Sequence, residues 1–340
     1  MRKRCNEMSG ENFLVTGAQG CIGSWVIKNL IEMGHGIVAY DVDDRLVRLK
    51  LLLTPEHLSQ VHFIRADIND VGRIKWLIEK ESVTYVIHLA GLMTPDCKAN
   101  PILGATVNVL GALTIFEAVK AHRGQVRCVA YASSGAVLGP HERYESHPIP
   151  DEAPPIPMTF YGAFKRTNEE CARIYWEEEG IRSVGLRPPV VYGPGRDKGL
   201  TAGATLAIRA VFLGQEYEIG FGGEANMEFV DDVAKSFIAS VLKAPEGAPC
   251  FNMLGQVLDV EEMIRVIEEM FPSSKGKITH LNQRVNMAHF VSDSGLQRLI
   301  GPFHPVQFRV GARLTADFFQ NLLKGKKLNS DSIFQEEHGF

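Results

Sequence analysis

Residues 16–25 read TGAQGCIGSW, and three of them, Gly17, Gly20 and Gly23, stand between an apolar run and an amphipathic stretch. The run at 12–16, NFLVT, has the length and continuity of a strand buried on both faces. The stretch at 22–33 has helical spacing. A strand that turns into a helix within a few residues needs the backbone freedom of glycine. Larger side chains there would also block any group approaching the first N–H groups of the helix. The feature confines the chain to α/β architectures in which a parallel strand feeds a helix through a tight, open turn.

The first half repeats this unit. Stretches 36–40, 61–65, 83–89 and 126–132 read as strands, and 71–80 and 102–122 as helices. A helix at 160–179 and a strand at 183–186 extend the series. Such alternation implies right-handed crossovers and a Rossmann-type doubly wound parallel sheet, an α/β fold. Beyond Arg187 the pattern changes. A glycine-rich loop at 193–203 precedes helices at 204–213, 232–242, 260–270 and 306–323, with short strands between some of them. We read residues 12–187 as a dinucleotide-binding domain and 188–325 as a smaller mixed α/β substrate-binding portion. The boundary is interleaved, because a strand at 250–253 can return to the main sheet. The ends, 1–11 and 331–340, are expected to be flexible.

A length of 340 residues suits two domains or one large one. The 45% hydrophobic and 22% charged content excludes a disordered chain or a fibre. With a net charge of −4 the surface offers no general attraction to nucleic acid or anionic lipid. No apolar run is read as long enough to span a bilayer, and the start MRKRCNEMSG lacks the apolar centre of a signal peptide. The cysteines, Cys5, Cys21, Cys97, Cys128, Cys171 and Cys250, form no CxxC, and no HExxH is present. Free thiols, a cytoplasmic protein and no bound metal are expected.

The turn at 16–25 suits a dinucleotide pyrophosphate, with Gly17, Gly20, Cys21, Ile22 and Gly23 around it. The second strand ends in YDVDD, where Asp41 is placed to accept the adenosine ribose hydroxyls. A carboxylate there repels the extra phosphate of NADP, so NAD is the expected cofactor. Asp43 or Asp44 fits a helix N-cap better. In RADIND, Asp67, followed by Ile68, either contacts the adenine or caps the next helix.

Tyr161 and Lys165 share a helix face in YGAFK. A free tyrosine titrates near pH 10, and a neighbouring ammonium lowers that value. Ser133 and Ser134 in YASSGAVLG end a sheet strand, where open α/β sheets bind ligands.

Taken with HLAG at 88–91, Asn108, LRPPVVYGPG at 186–195 and EFVDDVA at 228–234, these motifs make a chain that resembles the extended short-chain dehydrogenases/reductases, the branch that includes nucleotide-sugar epimerases. The resemblance spans about residues 12–325. It implies that Ser134 is the active-site serine and Tyr161 the acid/base. Lys165 would bind the nicotinamide ribose and tune the tyrosine. Leu89, Ala90, Gly91, Asn108, Pro188 and Val190 would border the cofactor. Ser133, Ser134, Met93, Val190, Arg196 and Met227 would face the substrate. It also implies a homodimer through the two long helices, on which Leu110, Leu113, Ile115 and Phe116 supply surplus apolar surface.

Departures from the family narrow the reading. Gly135 and Ala136 follow Ser134, where dehydratases carry acids, and neither moves a proton. Val190 and Met227 stand where the epimerases carry an asparagine and an arginine for a substrate diphosphate, and neither donates a hydrogen bond. Losing such a contact costs about 1.5–3 kcal/mol. The reading favoured is therefore an NAD-dependent oxidoreductase that dehydrogenates a secondary alcohol of a small sugar or polyol. A nucleotide-sugar epimerase is the first alternative and a non-catalytic NAD-binding regulator the second.

Overall fold

The computed structural model describes residues 10–324. Cys5 and most of the ends expected to be flexible, 1–9 and 331–340, lie outside the described residues. The chain opens with β1 (Asn12–Thr16), α1 (Cys21–Glu32), β2 (Gly36–Asp41), α2 (Val47–Leu52), α3 (Pro55–Leu58) and β3 (His62–Arg65). Then come α4 (Val71–Lys80), β4 (Tyr85–His88), α5 (Thr94–Ala99), α6 (Pro101–Ala105), α7 (Gly111–Ala121) and β5 (Cys128–Ala132). Helix α8 (Phe160–Glu179) and β6 (Ser183–Arg187) follow. The second half holds β7 (Val190–Tyr192), α9 (Gly203–Leu213), β8 (Tyr217–Ile219), β9 (Glu224–Phe229) and α10 (Val230–Lys243). It continues through β10 (Cys250–Asn252), β11 (Gln256–Asp259), α11 (Val260–Met270), β12 (Ile278–His280), α12 (Ser294–Ile300) and α13 (Phe308–Lys324).

The main sheet has seven strands in the order β10-β6-β5-β4-β1-β2-β3. Every pairing in it is parallel. Successive side chains of a strand point to opposite faces. Phe13, Val15 and Ile87 accordingly pack into one core, while Leu14, Val86 and Val129 pack into the core on the other side. Burial on both faces is why the strands are unbroken apolar runs. The strand order reverses between β1 and β4, which opens a crevice at the carboxyl ends.

The helix expected at 102–122 is not regular. Thr106–Leu110 forms a wide π turn between α6 and α7. The Asn168 side chain donates to the Asn108 carbonyl at 2.9 Å, and the Asn108 amide donates to the Gly104 carbonyl at 3.0 Å. These insertions into the ladder account for the widened turn. Against the expectation of no membrane-length segment, Pro101–Ala121 is long and apolar enough, by length and composition, to cross a bilayer. Its apolar character has a reason in this fold, since it packs against α4 and α8. Of the residues expected to supply surplus surface, Ile115 and Phe116 are core residues, whereas Leu110 is exposed.

In the second half β11, β9 and β7 form a small mixed sheet, and β8 pairs with β12. A separate core built from Val190, Met227, Leu258, Met263 and Phe319 lies against it. Strand β10 leaves this half and pairs with β6 of the main sheet.

Candidate active site

The turn after β1 is as tight as its glycines require. Gly17 has φ +66°, and a Cβ on it would lie 2.6 Å from the Ala90 nitrogen. A Cβ on Gly23 would lie 2.1 Å from the Gly17 carbonyl oxygen. The turn, the head of α1 and the end of β4 thus meet without room for side chains. Asp41, at the end of β2, accepts from the Gln19 N–H at 2.8 Å and the Asp43 N–H at 3.0 Å. Burial raises its carboxyl above the ordinary range, and those N–H bonds oppose the rise. Asp43 and Asp44 cap no helix, because Leu46 is the residue before α2 and Asp43 instead accepts from the Arg45 N–H. Nor does Asp67 cap α4. Its carboxylate accepts from the Asn69 N–H at 2.9 Å, and Asp70 is the cap. Ile68 is a core residue packed on Gly111.

One cavity of about 470 Å³ runs from this turn across the sheet ends. Ser134, Tyr161 and Lys165 line it together with Gly17, Gly20, Cys21, Ile22, Gly23, Leu89, Gly91 and Pro188. Strand β5 ends at Ala132, and Ser134 then caps a short 3₁₀ turn by accepting from the Ala136 N–H at 3.1 Å. Helix α8 begins at Phe160, capped by Thr159, which sets Tyr161 and Lys165 on its first turns. The Lys165 ammonium donates to the Ala132 carbonyl at 2.8 Å and lies 5.6 Å from the Tyr161 ring centre. Burial lowers its pKa to about 8. The Tyr161 hydroxyl is raised by burial, opposed by a hydrogen bond with Ser134 and by the charge of Arg196. Lys165, expected to lower the tyrosine together with the nicotinamide cation, is not among the groups that shift it here; desolvation outweighs the Ser134 bond and the charge of Arg196, a cation that sequence reasoning did not assign to the tyrosine.

The site fits a nicotinamide dinucleotide. A Cβ on Gly91 would lie 2.6 Å from Asn108 Oδ1 and 3.4 Å from Lys165 Nζ, so the wall there is bare backbone. Asn108 Oδ1 and His88 Nε2 are buried and have no partner among the described residues. His88 Nδ1 lies 2.7 Å from the Thr16 hydroxyl, and burial pushes its pKa to about 3, so the ring is neutral.

Ser133 is committed elsewhere. Its hydroxyl donates to Glu169 at 2.5 Å, and Glu169 also receives Arg187 through two bonds of 2.9 Å. Burial alone would raise the Glu169 carboxyl, but hydrogen bonds from Arg187, Ser133 and Cys250 hold it below the usual range. Arg187 further donates to Asn252 Oδ1 at 3.1 Å and the Asp151 carbonyl at 2.9 Å. Both serines line the cavity, and the one not bonded to Glu169 is Ser134.

Of the other expected substrate residues, Met93 and Arg196 line the cavity. Arg196 bonds Thr201 at 3.0 Å and approaches Met93 Sδ at 3.6 Å, while its buried Nε has no partner among the described residues. Val190 and Met227 do not reach the cleft. They are register partners on β7 and β9, at 1% and 0% exposure, and both point into the second core. Val191, one residue on, lines the cavity instead. Sequence reasoning missed Arg48, Lys198, Thr201 and the wall formed by Gln283, Arg284, Asn286 and Met287. That last stretch lies far from every motif, and a lone bridge from Arg284 to Gly222 helps to place it.

A model of the NAD dependent epimerase/dehydratase family matches residues 13–253. A UDP-glucose 4-epimerase of Mycolicibacterium smegmatis is 32% identical over 230 residues, covering 66% of this chain and 71% of that protein. A UDP-glucuronate 4-epimerase of Arabidopsis thaliana is 28% identical over 300 residues, covering 78% of this chain and 65% of that protein. Among solved structures, the Thermotoga maritima UDP-glucose 4-epimerase with UDP-glucose superposes with a TM-score of 0.79 at 23% identity, covering 92% of this chain and 99% of that one. An L-threonine dehydrogenase from Clostridium difficile also reaches 0.79, at 19% identity, covering 94% and 99%. The same fold therefore carries either outcome, epimerisation or net oxidation.

Proposed function

We propose, for a chain that belongs to the NAD dependent epimerase/dehydratase family, that it inverts a secondary alcohol carbon of a nucleotide sugar. One observation carries the choice of substrate: Tyr161 shares its cleft with the cationic side chains of Arg196, Lys198 and Arg284, the last of them paired with Glu142 at 3.2 Å. That wall suits an anionic group on the substrate. The preference for a small uncharged alcohol rested on Val190 and Met227, and both face the core, so that reason is gone. Relatives that are named epimerases support the same choice.

The cofactor of the family is NAD, which when bound supplies a hydride acceptor and donor. The remaining steps belong to the protein. Ser134 holds the substrate oxygen against the Tyr161 hydroxyl. Tyr161 takes the alcohol proton and returns it after the carbon has changed face. Arg196 and the Ser134 bond ease ionisation of the buried tyrosine. Lys165, fixed by the Ala132 carbonyl, holds its remaining ammonium donors at the cleft. Gly135 and Ala136 after Ser134 offer no acid for dehydration.

The test is to incubate the enzyme with UDP-galactose and with UDP-galacturonate, without added reductant, and follow the 4-epimers by chromatography. Interconversion is expected. Stoichiometric reduction of added NAD by a sugar, with no interconversion, favours the dehydrogenase that the sequence suggested. Pairing of two copies through α6–α7 and α8 is part of the proposal. Ile102, Leu103, Leu110, Phe160 and Ile174 are exposed apolar residues of these helices. Light scattering should give twice the chain mass at micromolar concentration, and a single-chain mass refutes the pairing.

A further inference from the structure

We propose that the segment 193–201 is a strap fastened over the phosphate-binding turn, and that Arg48 is the latch that retains the cofactor. The inference rests on NAD as the family's cofactor and not on the proposed epimerisation.

Arg48 lies on α2, outside every motif, and is mostly buried. Its guanidinium joins both halves of the molecule. Nη1 donates to the Gln19 carbonyl at 2.9 Å, inside the phosphate-binding turn. Nε donates to the Gly195 carbonyl at 3.1 Å, and Nη2 meets the Asp197 carboxylate at 2.5 Å. The Gln19 whose carbonyl it holds also gives its N–H to Asp41. One fork of donors therefore ties the turn to the strap. Arginine suits this task, because its planar group serves several acceptors in fixed directions.

A second tether lies beside it. Trp25, one turn into α1, donates its indole N–H to the Pro194 carbonyl at 2.8 Å. A Cβ on Gly195 would lie 3.7 Å from Arg48 Cδ and 4.0 Å from Cys21 Sγ, so the strap rests directly on the residue after Gly20. Burial raises the Cys21 thiol to about 11. The turn glycines and Arg48, Gly195, Arg196 and Asp197 line one cavity, so a dinucleotide seated on the turn is bounded by the strap. Gly193 at φ +125° and Gly199 at φ +92° flank the contact, and such positions allow the backbone to swing. Release of the cofactor then requires the Arg48 and Trp25 bonds to break. A reaction that must oxidise and reduce the same substrate gains from this, since a cofactor lost midway strands the ketone.

The experiment measures cofactor release from the full-length protein loaded with labelled NAD and chased with excess unlabelled NAD. Arg48→Ala should accelerate release at least about tenfold, while the association rate changes by less than about twofold. Arg48→Lys should fall between, because a point charge cannot serve all three acceptors. If Arg48→Ala does not fold, Asp197→Asn carries the test on the strap side, and Trp25→Phe removes the second tether alone. Release from both Arg48→Ala and Asp197→Asn within about twofold of the parent overturns the latch. So does rapid release from the parent protein itself. None of these rates uses a substrate, so failure of the epimerase assay leaves the result standing.

Discussion

The two sides of the cleft are built in different ways. On the cofactor side, the functional groups sit at the ends of parallel strands buried on both faces or on the first turns of α1 and α8, where the backbone leaves each side chain little choice. On the substrate side the polar groups come from 196–201 and 283–287, held by a few side-chain bonds and a lone bridge. Burial differs as well. Glu169, on the cofactor side, is buried with Arg187, Ser133 and Cys250 around it. Glu228, on β9 of the other half, is fully buried, and neither carboxyl oxygen is bonded by any of the described residues. One side spends its buried polarity on fixing geometry, and the other leaves a buried acid unmatched.

The contrast can be broken most sharply at the base. Tyr161→Phe should cut turnover by about 10²–10⁴ while NAD binding, followed by fluorescence titration, stays within about twofold. A variant with half the parent rate removes Tyr161 from the mechanism. Next, Met227→Arg should not create a phosphate site. It forces a charge into the second core and should destabilise the fold by about 3–5 kcal/mol in denaturant titration. A stable variant with tighter UDP-sugar binding would show that position 227 reaches the cleft after all.

Glu228→Gln sharpens the comparison in the opposite direction. Burial, and then Asp232 and Asp293, raise the Glu228 carboxyl well above its ordinary 4.5. A carboxyl raised on folding binds its proton more tightly in the folded state than in the unfolded chain. Its contribution is therefore favourable below pH 4.5 and is lost as pH rises. The glutamine variant should unfold a few degrees higher at pH 7, by calorimetry, with the advantage vanishing towards pH 4. An equal gap at both pH values would mean that Glu228 does not titrate with folding. The smallest effect is at Asp41. NAD should bind about tenfold more tightly than NADP, about 1.4 kcal/mol, and equal affinities in paired titrations would remove Asp41 from the ribose site.

This division also decides what was legible. The bounds of α4, α8 and α11 agree with the periodicity of the sequence, because each has enough residues for a period to show, and β1 agrees as an unbroken apolar run. The glycine turn, Ser134, Tyr161 and Lys165 were legible because strand ends and helix turns place them by count. Val190 was misplaced for the converse reason, and Met227 is its register partner on β9. Strand β7 is three residues long, too short for alternation to declare its faces, and a slip of one residue turns Val191 rather than Val190 to the cleft. Arg48 and the wall at 283–287 left no pattern, since their roles come from contacts between segments far apart in the chain. The π turn was hidden because its cause, the Asn168 amide, lies sixty residues away.

Tyr161, Lys165 and Glu169 occupy every fourth position of α8. Four residues carry a helix through slightly more than a full turn, so each group sits about 6 Å further along and about 40° further round. The helix works as a ruler. At one mark it holds the base in the cleft, at the next it reaches the end of β5, and at the last it meets Arg187 on β6. Adding or deleting one residue between the marks would swing the far end by about 100° and separate the base from its anchor. Substitution is open to this helix, but a change of length is not. The segment 283–287 lies off the ruler and can lengthen or shorten without disturbing it, whereas 193–201 is pinned at Pro194, Gly195 and Asp197. In descent, new substrates can therefore be reached by editing loop lengths on one side of the cleft while the chemistry on the other stays in register.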